Sequence, residues 1–268
     1  MATAAKKTAP APARPAPSTS KAVAAPRNTA VATQDDVPDF IKKGKGRGNE
    51  AVEMADVVIP RIELVQALSP CLRRNDPAYI EGASAGALFN TVTRKLYGDK
   101  IDVVPVLFTK EYLCWRDRKA GGGFGGAYPS FEEAQNRINT EAKPEEWEVV
   151  EHAQQLVLVL EEDGATEEAL ISMSRTKMKV SKQWNSLIRL NGNDRFSRVY
   201  ELFGVEEQNK NNDSYWNFAV ANKGFVSKDI FDRAEKLYES VKSGARKVVY
   251  DTKGLDGGDD APKGSGEY

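Results

Sequence analysis

The residues best suited to chemistry lie in one stretch, 172–200, where Arg175, Lys177, Lys179, Lys182, Arg189, Arg195 and Arg198 face a single acid, Asp194, for a formal charge of +6. The 268-residue chain as a whole carries a net charge of −1, so this positive charge is concentrated rather than general. Trp184, Phe196 and Tyr200 are interleaved with the bases. Cations with flat rings between them suit a polyanion whose bases stack. The same composition fits a solvated basic face with three core aromatics, and composition alone leaves both readings open. Lys177, Lys179 and Lys182 fall at an expected strand-to-helix junction, where backbone N–H groups at a positive helix end form a natural phosphate seat.

A second constellation lies upstream. Tyr112, Trp115, Phe124 and Tyr128 are interleaved with Lys110, Arg116, Arg118 and Lys119, and five glycines surround Phe124. The run GGGFGG lacks the Gly-Lys-Ser/Thr ending of a phosphate-binding loop, and no helix signal follows at once, which excludes a nucleotide fingerprint. A mobile Gly-rich loop tipped by a ring suits closure over a strand. A plain hairpin tip accounts for it equally well.

Other chemistries are poorly supplied. With one histidine, His152, and two cysteines, Cys71 and Cys114, the usual structural zinc site and most Ser-His or Cys-His catalytic sets are excluded. Asp99, Asp102, Glu161, Glu162 and Asp163 supply carboxylates for a Mg²⁺ ion in principle, but acidic turns are usually only solvated. The expectation is a non-enzyme without metal or cofactor. Two cysteines make no disulfide framework and point to a reducing cytosol. No apolar run approaches the ~20 residues needed to span a bilayer, so a soluble protein with no membrane partner is expected.

The charge is segregated along the chain. Residues 1–50 carry +5, residues 131–170 carry −10, and residues 251–268 carry −3. Such a layout makes a basic groove on an acidic body, which steers and holds a polyanion. Residues 1–50 are Ala-, Pro- and Lys-rich and read as a disordered basic tail, with the flexible KKGKGRG run at its end. Residues 51–250 hold the domain, and 251–268 read as a flexible acidic tail.

The elements that must position these residues are mostly strands. Strands are expected over 61–66, 87–92, 101–108, 154–160, 169–173, 198–206 and 214–220, by alternation and β-branched content. Pro105 inside the third argues for an edge, a bulge or a break. Ser130 and Glu133 have capping-box spacing for a helix to about 139. Ser181 is the expected cap of a helix that buries Trp184, Leu187 and Ile188 on one face. NKNND at 209–213 is a turn composition. Residues 227–242 repeat apolar positions at helical spacing, with Gly244 placed to end the helix. Many strands and few helices give a mainly β (α+β) class, as a small barrel or sandwich.

The order PRIELVQALSP, a Gly-Ala-Leu-Phe-Asn stretch, VVPVLFTKEYLCWRDR with its glycines, SRTKMKVSKQWNSLI, then FSRVYELFGVEEQNKNNDSYWNFAV and a closing amphipathic helix resembles bacteriophage single-stranded-DNA-binding proteins of the OB-fold replication and recombination type. The resemblance covers about residues 60–240. It implies an OB-like small β-barrel with a C-terminal amphipathic helix and disordered tails, and sequence-tolerant binding of single-stranded DNA in the host cell cytoplasm. On this reading Lys110, Arg116, Arg118, Arg175, Lys177, Lys179 and Lys182 face phosphates, while Trp115, Phe124 and Tyr215 stack bases. The resemblance further implies phage replication proteins as partners through an acidic tail; a homo-oligomer is compatible with it. Here Lys263 interrupts the acids and Tyr268 ends the chain. A phage structural or assembly protein without nucleic-acid activity is the alternative, with the low-complexity N-terminus and acidic insert serving virion contacts.

Overall fold

A computed structural model describes residues 48–52, 58–162, 164–209 and 211–244. The chain divides into two units, Met1–Ala51 and Val52–Tyr268, and every element below belongs to the second. The expectations for the 1–50 tail up to residue 47, for Asp163 and for the 251–268 tail lie outside the described residues.

In chain order the strands are β1 (Ile62–Leu64), β2 (Leu88–Asn90), β3 (Leu96–Gly98), β4 (Lys100–Arg116), β5 (Phe124–Tyr128), β6 (Trp147–Leu160), β7 (Thr166–Ser174), β8 (Arg198–Gln208) and β9 (Ser214–Phe225). The helices are α1 (Phe131–Asn139), α2 (Met178–Leu190) and α3 (Lys228–Lys242). All pairings between these strands are antiparallel. The first three strands form a small sheet, and the rest form a larger one in the order β7-β6-β4-β8-β9, with β5 added to β4.

The class is therefore mainly β with three helices among the described residues, an α+β arrangement. It is not a closed barrel: the larger sheet is an open path whose end strands, β7 and β9, do not pair. What replaces closure is cover on both faces. Ile101 and Val103 of β4, Ala153, Val157 and Val159 of β6, and Ala169, Ile171 and Met173 of β7 share one core with Val180, Trp184 and Ile188 of α2. Val104, Leu156, Leu158 and Leu170 point the other way, into a core with Ala234 and Leu237 of α3. Period-2 alternation with both sides buried explains why QQLVLVL reads as a continuous apolar run.

Pro105 sits at a bulge between Pro105 and Leu107, and β4 continues through it for 17 residues. β4 pairs with β8 only over Lys100–Val103, so the bulge falls where that neighbour departs. The capping box is as expected: Ser130 Oγ accepts from the Glu133 N–H and donates to its carboxylate. Ser227 caps α3 by accepting from the Ile230 N–H, and Gly244 follows with a left-handed φ of 74°.

Two local expectations are corrected. The Gly-rich stretch is not a free loop but the alternative, a hairpin: 124–128 pairs with β4, with a register shift between Cys114 and Trp115 that sets Trp115 opposite Phe124. Glycine is required at 125 because a Cβ there would sit 3.1 Å from Cys114 Cβ and against the Trp147 ring. Ser181 is not a helix cap. It is buried within α2 and accepts from Gln155 Nε2 at 3.3 Å, and the helix begins at Met178. A 3-10 turn at Arg175–Lys177 leads into it, with Arg175 at a left-handed φ of 49°.

Candidate functional site

The two basic constellations meet different fates. The first ends up on α2. Its 13 residues include no acid. At 3.6 residues per turn, Lys179, Lys182 and Arg189 fall within about 80° of one another. All three are exposed, and the opposite stripe of Val180, Trp184 and Ile188 is buried. From Lys179 to Arg189 the stripe runs about 15 Å along the axis. None of the three has a carboxylate within ion-pair distance among the described residues. Trp184 is core, edge-on to Tyr200 at 5.9 Å between ring centres.

The N-terminal end of the stripe meets the tip of the β8–β9 hairpin. Lys177 Nζ lies 5.8 Å from the centre of the Phe218 ring. Tyr215 Oη donates to Glu207 Oε2 at 2.8 Å, and Asn217 Nδ2 donates to the same oxygen at 3.0 Å. Burial and the Glu207 bond push the Tyr215 hydroxyl up to about 12. Asn217, Tyr215 and the charge of Lys179 hold the Glu207 carboxyl below its ordinary value. The fold thus brings Lys177 to Phe218 and Lys179 near the Glu207–Tyr215 pair, with Lys182 about one turn further along α2.

The second constellation, with Arg175, lies on the extension formed by β5, β4 and the first half of β6. There Lys110, Arg116 and Arg175 each meet an acid from the 131–170 segment. Lys110 pairs with Glu151 at 2.5 Å, which raises the lysine's pKa. Arg116 donates to Glu146 through Nε at 3.0 Å and Nη2 at 2.5 Å. Arg175 makes a two-point bond to Glu148, at 3.2 and 2.8 Å. Arg118 and Lys119 lie exposed without an ion pair among the described residues. Trp115 is 2% exposed and offers no face to a base; its ring packs against Phe124 at 5.1 Å. Phe124 is 37% exposed. The strand pairing brings β6 acids alongside β4 bases, and neutralises the groove that charge counting placed there.

Two bases of the 172–200 stretch, Arg189 and Arg198, were named from the sequence but given no place in the site. Arg189 completes the stripe, and its signal was the i, i+3, i+10 spacing with Lys179 and Lys182, hidden by starting the helix at Ser181. Arg198 lies with its guanidinium carbon 4.0 Å from the centre of the Phe225 ring. Nothing local in the sequence marked that pair, which forms across the β8–β9 register.

Among the described residues no group of three or more His, Cys, Asp or Glu side chains is placed to hold a metal ion. No helix among the described residues is long and apolar enough to cross a membrane. A family model described as Pam3 phage gp34-like protein matches residues 28–247. No curated protein and no solved structure matches the chain.

Proposed function

From a chain that belongs to the Pam3 phage gp34-like family, we propose a protein that binds single-stranded DNA without sequence preference during phage DNA replication or recombination. The observation that carries this reading is the acid-free stripe of Lys179, Lys182 and Arg189 on α2, free of ion pairs among the described residues, with Lys177 at the N-terminal end of the helix. By contrast, Lys110, Arg116 and Arg175, on and beside the β4–β6 pairing, are matched with acids. Leaving exposed cations unmatched along one helix keeps them available to a row of phosphates, and costs little while they stay hydrated. Tyr215, bonded to Glu207, lies at the end of the stripe where Lys179 is. The binding module carries out no covalent step, and its place is the host cytoplasm, where the strand is exposed.

The test is a fluorescence-anisotropy titration of a labelled oligo-dT with the full chain, against a duplex of equal length. Tight binding to the single strand that weakens with salt is expected. No binding at low ionic strength, or a preference for the duplex, refutes the proposal.

A further inference from the structure

Phe225 is 67% exposed at the last position of β9, an unusual place for a large ring. Three features hold it there. Arg198, directly opposite in the register, lays its guanidinium on one face of the ring at 4.0 Å. The pairing slips between Val199 and Tyr200, so the β9 strand bulges just before the ring. A bulge of this kind re-aims a side chain. Gly224 adopts a φ of 141°, open to glycine alone, and its N–H donates to Asn222 Oδ1 at 3.2 Å. Directly after the ring, Val226 enters the α3-side core and its N–H donates to Ser197 O at 3.1 Å. The ring is therefore clamped on one side and anchored below, with its remaining surface open to water.

Its surroundings are basic. Arg195 packs over Phe108 at 5.4 Å and donates to Asn185 Oδ1 of α2 at 2.8 Å. Neither Arg195 nor Arg198 has a carboxylate partner among the described residues, and the Nε of each is buried without a hydrogen-bond partner. Both arginines act electrostatically on the Tyr200 hydroxyl, which accepts from Asn191 Nδ2 at 3.3 Å just past the end of α2. The Phe225 ring thus lies on the side of the sheet where the α2 stripe ends.

We propose that Phe225, backed by Arg198, is a stacking platform for an unpaired nucleobase of a strand whose phosphates run along the α2 stripe. The inference rests on the DNA-binding reading above. An aromatic face with a cation behind it is a sequence-tolerant base seat. It accepts only bases that are out of a duplex, and so supplies the preference for single strands that a row of lysines lacks.

The experiment compares the full-length protein with F225A and F225W on two labelled oligomers of equal length and charge, oligo-dT and an abasic sugar-phosphate strand. F225A is expected to weaken oligo-dT binding about tenfold, and to leave binding to the abasic strand and the thermal midpoint unchanged. F225W is expected to restore oligo-dT affinity, with the fluorescence of the new indole quenched by the strand. If the unaltered protein binds oligo-dT and F225A binds it equally well, the platform is refuted and the DNA-binding reading stands. An equal loss on the abasic strand also refutes it, since the ring would then act only through the fold. If the unaltered protein binds neither oligomer, both proposals fall.

Discussion

Lys179→Gln with Lys182→Gln removes two cations from the exposed stripe of α2 without touching its buried side. Each lysine that faces a phosphate displaces counterions from the strand, so the slope of log affinity against log salt counts them, at about −0.7 per contact for single strands. Lys177, Lys179, Lys182 and Arg189 together give a slope of about −2.8, a loss of about 50-fold between 50 and 200 mM salt. The double variant keeps two contacts and a slope of about −1.4, a loss of only about sevenfold over the same range. Anisotropy titrations of oligo-dT at four or five salt concentrations resolve that difference, and circular dichroism checks the fold. The control is Lys110→Gln with Arg116→Gln, two cations already bound to Glu151 and Glu146. That pair is expected to change the slope by less than 0.7, about one contact's worth. A folded α2 double variant whose slope stays near −2.8, or a control that lowers it as much, refutes the assignment of the DNA path to α2.

Two further outcomes concern the scaffold. Gln66 donates to the Trp216 carbonyl at 2.8 Å and accepts from the Trp216 N–H at 2.9 Å, acting as one residue of a missing strand beside edge strand β9. Gln66→Ala is expected to cost about 1–3 kcal/mol in urea unfolding and to promote self-association detectable by light scattering, because it uncovers that edge. Glu111 is raised above its ordinary value by burial, and its Oε2 lacks a hydrogen-bond partner. A folded value above the unfolded one of about 4.3 means the ionised form is disfavoured in the fold. The penalty is absent at lower pH and grows as pH rises through the folded value. Glu111→Gln should therefore stabilise the protein at pH 7 and be neutral near pH 4, as read by unfolding at both; equal effects at the two pH values would show that ionisation is not the cost.

Local signals read from the chain carried much of the fold. The Ser130 cap, the 209–213 turn and the apolar spacing of α3 concern residues within a few turns of one another, so propensity and hydrogen-bond geometry decide them without help from the rest of the molecule. Trp184 fell on the buried stripe of its helix for the same reason. Ser181 shows where local reasoning fails. Serine favours a helix cap, but here the side chain reaches Gln155 on β6 and is worth more buried in that bond than capping a helix end.

The sequence alone determined that positive charge is concentrated at 172–200, that acids are concentrated at 131–170, and that the fold is mainly β. Only the tertiary structure decided which bases remain available. Antiparallel pairing of β4 with β6 brings Lys110 to Glu151 and Arg116 to Glu146, 41 and 30 residues away, and Glu148 of β6 takes Arg175. Lys179, Lys182 and Arg189 of α2 have no carboxylate within ion-pair distance among the described residues, so they keep their charge exposed. The open sheet was also beyond local reading, because closing a barrel depends on whether the end strands meet, and here helices cover the two faces instead. Coulombic partners and strand neighbours are chosen by register between distant segments, and no window of sequence contains that register.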